Sequence, residues 1–290
     1  MPPRTRVNGA FLGLSRAPLA ALSGVAALLI TSPARAADPF EIQVYDGSTN
    51  DPGTASMELH ANTRRAPDRA ADPPELPSHK QSHFTFEPAL GVTRFWEVGA
   101  YLQFAARADD TFYWAGIKLR SKLVMPEGFH PHLRLGFNVE IAAIPERFEA
   151  DRFGGELRPI VAWDDRYFHL AANPNLEVSL AGAGLSAGPE LSPGLAAYAK
   201  IPDVIEVGGE YYGSIGPIAH VPVTSAQEHY VFLAGNVLAL AGWELNFGVG
   251  AGLTASSDKV VVKAIFGHDL GQLWGKAARS ARRAGAVAAR

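Results

Sequence analysis

The chain has no cysteine, only three methionines, and few charges for its length: 19% of its 290 residues are Asp, Glu, Lys or Arg. Without cysteine there is no disulfide framework and no thiolate metal site. Beyond the first 36 residues no apolar run approaches the ~20 residues of a spanning helix, which excludes a helical membrane protein. A basic excess is missing too. Lys and Arg number 26 against 29 Asp and Glu, too little positive charge to displace counterions from a nucleic acid, and no such partner is expected. What the chain holds in quantity is apolar residues, at 47%, and 29 glycines.

The start of the chain has three parts. Arg4 and Arg6 are basic, Ala17 to Ile30 is apolar and uncharged, and Ala34-Arg35-Ala36 is a small-residue cleavage motif. This is the pattern of a secretory signal peptide over residues 1–36, cleaved after Ala36. Four arginines (Arg4, Arg6, Arg16 and Arg35) and no acid leave with it, so the exported chain is acidic.

The remainder alternates with period two. Leu133, Leu135, Phe137, Val139 and Ile141 share one face, while His132, Arg134, Gly136, Asn138 and Glu140 share the other. Phe168 to Leu180 and Trp243 to Leu253 alternate in the same way. These runs are long for ordinary strands and match the ~9–11 residues of a tilted strand crossing a bilayer. The pattern extends to twelve strands, near 56–63, 82–92, 97–106, 111–124, 129–143, 155–163, 167–180, 190–200, 204–214, 227–237, 243–253 and 259–268. Even-numbered connections are short, and most odd-numbered ones are longer. Bacterial outer-membrane barrels show this contrast, with short turns in the periplasm and long loops outside. Phe95, Trp96, Phe129, Trp163, Tyr167 and Trp243 flank the short turns, and Phe112, Tyr113, Trp114, Tyr211 and Tyr212 the other end. Two aromatic belts suit two membrane interfaces.

The reading is therefore an all-β, antiparallel transmembrane barrel of twelve strands in the outer membrane of a Gram-negative bacterium. The layout is signal peptide 1–36, N-terminal periplasmic segment 37–55, barrel 56–268 and basic C-terminal tail 269–290. A soluble β-sandwich or lipocalin-like barrel is the rival, but it would crowd the polar face with charge. Here that face is mostly Gly, Ala, Asn and Ser. The N-terminal segment, with Ile42 and Val44 alternating, is expected to cap the periplasmic mouth or add a partial strand. In the tail, Leu270, Leu273, Trp274, Ala277, Ala278 and Ala281 share a helical face beside Lys276, Arg279, Arg282 and Arg283; a surface-lying helix, a frayed terminus and a lumen plug are all open to it.

Several motifs carry a family resemblance. They include Glu41-Ile42-Gln43-Val44-Tyr45-Asp46, Asp51-Pro52-Gly53, Glu58-Leu59-His60, Glu97-Val98-Gly99, Glu156-Leu157-Arg158-Pro159-Ile160, Glu210-Tyr211-Tyr212-Gly213 and Lys263-Ala264-Ile265. With these the chain resembles a family of Gram-negative outer-membrane barrels related to those labelled after the meta-pathway of phenol degradation. The resemblance implies an outer-membrane barrel and passage of small, in part aromatic, molecules. Such barrels end on an aromatic of the last strand; here Phe266 holds that place and the chain runs on.

The candidate site is the lumen. Period two places Lys118, Arg120 and Lys122 on one strand face, opposite Tyr113, Ala115, Ile117 and Leu119, and Arg134 and Arg158 extend the basic row. Glu58, Glu87, Glu97, Glu140, Glu156, Glu177, Glu206, Glu210 and Glu244 supply acids around it. Two functions fit: a channel or uptake protein whose charged constriction selects small solutes by sign, or a sealed barrel whose charges pair and hold the wall together. A membrane-embedded hydrolase is a third class. Gly184-Leu185-Ser186-Ala187-Gly188 matches a nucleophile elbow, but no helix follows it. His130 and His132 are spaced to share a metal on a strand face, yet have no third ligand nearby. No catalytic residue, cofactor or metal is assigned. The expected partners are outer-membrane lipid, the barrel-assembly machinery and an unnamed small solute.

Overall fold

A computed structural model describes residues 38–65, 75–77, 79–107, 111–126, 129–149, 152–240 and 242–273. The expected signal peptide and all of the tail beyond Leu273 lie outside the described residues.

The strands are β1 (Thr54–Arg65), β2 (Ser82–Thr93), β3 (Trp96–Ala106), β4 (Phe112–Val124), β5 (Leu133–Ala143), β6 (Phe153–Asp164) and β7 (Phe168–Ala181). They continue with β8 (Glu190–Ile201), β9 (Ile205–Ser214), the two-residue β10 (Gly216–Pro217), β11 (Glu228–Val237), β12 (Trp243–Gly252) and β13 (Val260–Gln272). Twelve long strands pair antiparallel in chain order, and β1 closes on β13 with Leu59 opposite Phe266. Closure leaves no unpaired edge, a condition for a sheet in hydrocarbon. β10 is a short addition to β8.

Burial is inverted relative to a soluble protein. Leu119, Phe137, Val139, Ile141, Leu157 and Val161 are exposed, whereas Arg120, Asn138, Glu140, Glu156 and Arg158 on the same strands are buried. The apolar face therefore points out and the polar face in, which removes the soluble rival. Trp96, Phe129, Trp163, Tyr167 and Trp243 ring the short-turn end on the outside, and Phe112, Trp114 and Phe153 the long-loop end. Tyr212, expected in that second belt, is buried in the lumen instead.

Three further expectations change. Tyr113 and Ala115 do not share the outer face with Ile117 and Leu119. In the β3–β4 ladder Gln103 pairs with Gly116 and Phe104 with Trp114, so Ala115 is an extra, bulged residue. A bulge reverses the parity of everything before it, and Gly116 supports it at φ 124°. β5 begins at Leu133, not 129: His130 Nδ1 accepts the backbone N–H groups of His132 and Leu133, folding that stretch into a turn. The last strand runs to Gln272, into the segment assigned to the tail, and Leu273 N then donates to Gly53 O at 2.7 Å.

Candidate functional site in the barrel lumen

The segment from Asp38 to Gly53 does not sit at the mouth. It runs through the lumen from the long-loop end to the short-turn end, where β1 begins. Phe40, 2% exposed, packs with Ala105, Ala115 and Phe148 toward the long loops. Ile42 packs among Tyr212, Tyr230, Phe232 and Val261. Asn50 reaches the short-turn end, its N–H on Glu97 Oε2 at 2.6 Å and its amide on Ser56.

This segment is not a strand. Wall side chains satisfy much of its backbone: Asn62 donates to Pro39 O (2.7 Å), Thr85 to Phe40 O (2.8 Å) and Lys263 to Ile42 O (2.9 Å). Asn173 takes the Tyr45 N–H at 2.6 Å and returns an N–H to the Tyr45 carbonyl at 3.1 Å. Buried backbone groups need partners, and here the wall supplies them without extending the sheet. Where the segment reaches the wall, Gly91 makes room. A Cβ there would lie 2.3 Å from Asp51 O.

The basic row meets this segment. Lys118, Arg120 and Lys122 point inward and are buried. Lys118 bonds Asp38 and lies 3.6 Å from Glu140. Arg158 bonds Glu41 (2.7 Å) and Glu156 (2.6 Å), and Arg134 bonds Asp46 (2.9 Å) and Asp164 (2.5 Å). Thus Asp38, Glu41 and Asp46 of the segment each meet a different wall cation. Arg120 spans Glu87 (2.7 Å) and Glu97 (2.8 Å), and Lys122 also holds Glu97 (2.8 Å). Tyr45 lies at the centre: its hydroxyl meets that of Tyr101, and cations of Arg158, Lys122 and Arg120 stand 4.3, 5.2 and 5.9 Å from its ring centre.

The acids distribute around the wall. Glu140 accepts from Asn138 (2.6 Å) and Tyr101 (3.4 Å). Glu210 holds Lys263 at 2.5 Å and accepts from Tyr198 and Tyr212. Glu206 joins His169 (3.0 Å), Lys200 (3.4 Å) and Asn236 (2.9 Å). Glu177 accepts from Ser192. His60 Nε2 stands between Glu87 (3.0 Å) and Glu58 (3.3 Å). The Glu244 carboxylate, at the short-turn mouth, makes no hydrogen bond or ion pair with a described residue. The sequence reading missed Tyr45, Tyr101, Asn173 and the roles of Glu41 and Lys263; inward parity on β3, β7 and β13 was the available signal for three of them.

Space remains beside the segment. A cavity of about 430 Å³ opens toward the short turns, walled by Tyr45, Arg134, His169, Tyr198, Glu206 and Glu244 among others. A second, of about 390 Å³, lies at that mouth beside Ser48–Asp51. The Gly184–Gly188 motif falls on a 3₁₀ turn, Ala183–Ser186, between two strands, so the strand-to-helix geometry a nucleophile elbow needs is absent there. His130 is a turn cap and His132 bonds Asp164 O at 3.2 Å.

No protein-family model matches the chain, and no curated protein matches it in sequence. Its fold matches solved structures. An outer membrane channel from Pseudomonas putida F1 superposes with a TM-score of 0.55 at 11% identity, covering 79% of this chain and 100% of that one. LpxR from Salmonella typhimurium gives 0.39 at 10% identity, over 73% and 99% of the two chains. A mutant porin of Rh. blastica gives 0.29 at 9%, over 75% and 99%. The chain has the fold of an outer-membrane β-barrel.

Proposed function

We propose that the protein is an outer-membrane channel for small solutes, closed in this conformation by its own N-terminal segment. The short-turn end faces the periplasm and the long loops face outward, the arrangement usual in such barrels. One observation carries the reading: residues 38–50 cross the lumen held by side chains and ion pairs, not by strand pairing. A segment held in this way can leave without opening the wall. Its departure would expose Lys118, Arg120, Lys122, Arg134 and Arg158 to the passing solute, so the row that now seats the segment would act on solute charge. The resemblance to barrels labelled after the meta-pathway of phenol degradation makes small aromatic molecules the first solutes to try.

The test is single-channel recording in planar bilayers, comparing the native protein with a variant lacking residues 38–50. We expect brief, small openings from the native protein and steady conductance from the deletion. Neutralising Lys118, Arg120 and Lys122 in the deletion should shift selectivity toward cations. A deletion variant that folds, by its heat-modifiable mobility, and passes no current would overturn the reading.

A sealed barrel is the second reading, favoured by the ion pairs from Arg120, Lys122, Arg158 and Lys263 that hold the lumen together. The same recordings separate the two, because a sealed barrel stays silent after the deletion.

A further inference from the structure

One row of the barrel wall is a poor arrangement of charge. Across β12, β13, β1 and β2, Glu244 pairs with Gly267, Gly267 with Glu58, and Glu58 with Glu87. All three carboxylates lie on the lumen side. Like charges directly opposite in a sheet repel, yet the side chains draw together. A Cβ on Gly267 would lie 3.0 Å from Glu244 Cβ and 3.3 Å from Glu58 Cγ, so both fold over the glycine from either side. His60 joins them from the same face of β1. Its Nε2 is 3.3 Å from Glu58 Oε2 and 3.0 Å from Glu87 Oε2, while its Nδ1 is buried with no hydrogen-bond partner. Every polar contact the ring makes is at Nε2.

We propose that this cluster is a site for a divalent transition-metal ion of the zinc type, ligated by His60 Nε2, Glu58 Oε2 and Glu87 Oε2, with Glu244 or water completing the shell. Three features argue for it. The first is spacing. Two ligand atoms about 2.0–2.2 Å from a shared ion, in tetrahedral or octahedral positions, stand about 3.0–3.5 Å apart. The two distances from Nε2 fall within that interval. The second is the availability of the oxygens. Arg120 takes Glu87 through Oε1, leaving Oε2 turned to His60.

The third is charge. Glu58, Glu87, Glu97 and Glu244 crowd one stretch of wall where the cations are Arg120 and Lys122, and both cations also hold Glu97. An entry path exists as well, since Glu58 and Glu244 line both cavities at the short-turn end. Gln43 of the N-terminal segment reaches Glu58 Oε2 at 3.4 Å. The ion would sit where the segment meets the wall.

The competing arrangement is a protonated His60 clamped between two carboxylates with no metal. Zinc titration of the chelator-stripped protein in detergent, followed by calorimetry, separates them. We expect one equivalent bound, and X-ray absorption showing one nitrogen and two or three oxygens at about 2.0–2.2 Å. His60→Ala should weaken binding at least about tenfold, and Glu244→Gln, at the exposed rim, should weaken it less while leaving the fold intact. The double variant His130→Ala/His132→Ala should bind as the native protein does. Absence of zinc binding by the native protein overturns the proposal, as does a loss that follows His130 and His132. If His60→Ala fails to fold, the absorption spectrum of the native protein still decides: a shell without nitrogen overturns the site.

Discussion

The guanidinium of Arg158 lies 4.3 Å from the centre of the Tyr45 ring while its Nη1 donates to Glu41, four residues earlier in the same segment, at 2.7 Å. One wall residue thus grips both an aromatic face and a carboxylate of the N-terminal segment. The two contacts restrain the segment in different ways: the carboxylate fixes its depth in the lumen, and the ring its rotation. A desolvated cation–π contact contributes about 2 kcal/mol.

Tyr45→Ala removes the ring from three cations and from Tyr101 without leaving a buried charge unpaired. Taking about 2 kcal/mol as the loss, the balance between seated and withdrawn segment should shift by about 30-fold. Single-channel recording should show a matching rise in open probability. An unchanged open probability would mean that Tyr45 does not hold the segment.

Gly91→Val places a branched side chain where Asp51 O would lie 2.3 Å from its Cβ. The atoms that Cβ would meet, Asp51 O and Asn50 O, are backbone, so neither can rotate away. Overpacking of this kind costs about 1–3 kcal/mol, and the strain falls on residues 50–53, where the segment joins β1. Limited proteolysis should then cut within 38–53 faster than in the native protein, with the barrel itself resistant. Equal cutting rates would place the strain in β2 instead.

The barrel was legible in the sequence because side-chain direction in a strand repeats every two residues, and one face here meets lipid. Arg120, Glu140 and Arg158 all point where that period puts them. It failed at Tyr113 and Ala115 because a single extra residue reverses parity, and a glycine in a strand does not announce a φ of 124° at Gly116. The path of the N-terminal segment was hidden for another reason. Asp38 finds its partner 80 positions away at Lys118, and Glu41 finds Arg158 117 positions away. No local pattern encodes such pairs; they exist only once the barrel has closed around them.

Asp165 caps the turn between β6 and β7, outside the spanning strands. Its carboxylate accepts from Trp163 Nε1 (2.9 Å), Tyr167 N (2.7 Å) and Phe168 N (2.8 Å), bonds that hold its pKa down at about 2. An unfolded aspartate titrates near ~3.9. Because the folded value is the lower one, the stabilisation is complete above the ordinary value and is lost as pH falls through about 2. The native protein's thermal transition should therefore decline from about pH 5 to pH 2, and Asp165→Asn should flatten part of that decline. Identical pH profiles would show that the cap contributes nothing to stability.

Lys263 ties the segment to the wall through one ammonium group, which bonds Glu210 Oε2 (2.5 Å), Ile42 O (2.9 Å) and Tyr212 Oη (3.1 Å). Both Lys263 and Glu210 are almost wholly buried. Lys263→Met leaves the Glu210 charge without its cation, and breaking such a pair from one side costs about 3–5 kcal/mol. Adding Glu210→Gln removes the stranded charge; one tyrosine hydroxyl, of Tyr198 or Tyr212, can donate to the amide oxygen and the other can accept from the amide N–H, so the double variant should regain most of that loss in urea unfolding. What it should not regain is the bond to Ile42 O, and the segment should stay more open to protease than in the native protein. Recovery of stability together with full protease resistance would show that Lys263 serves the wall alone.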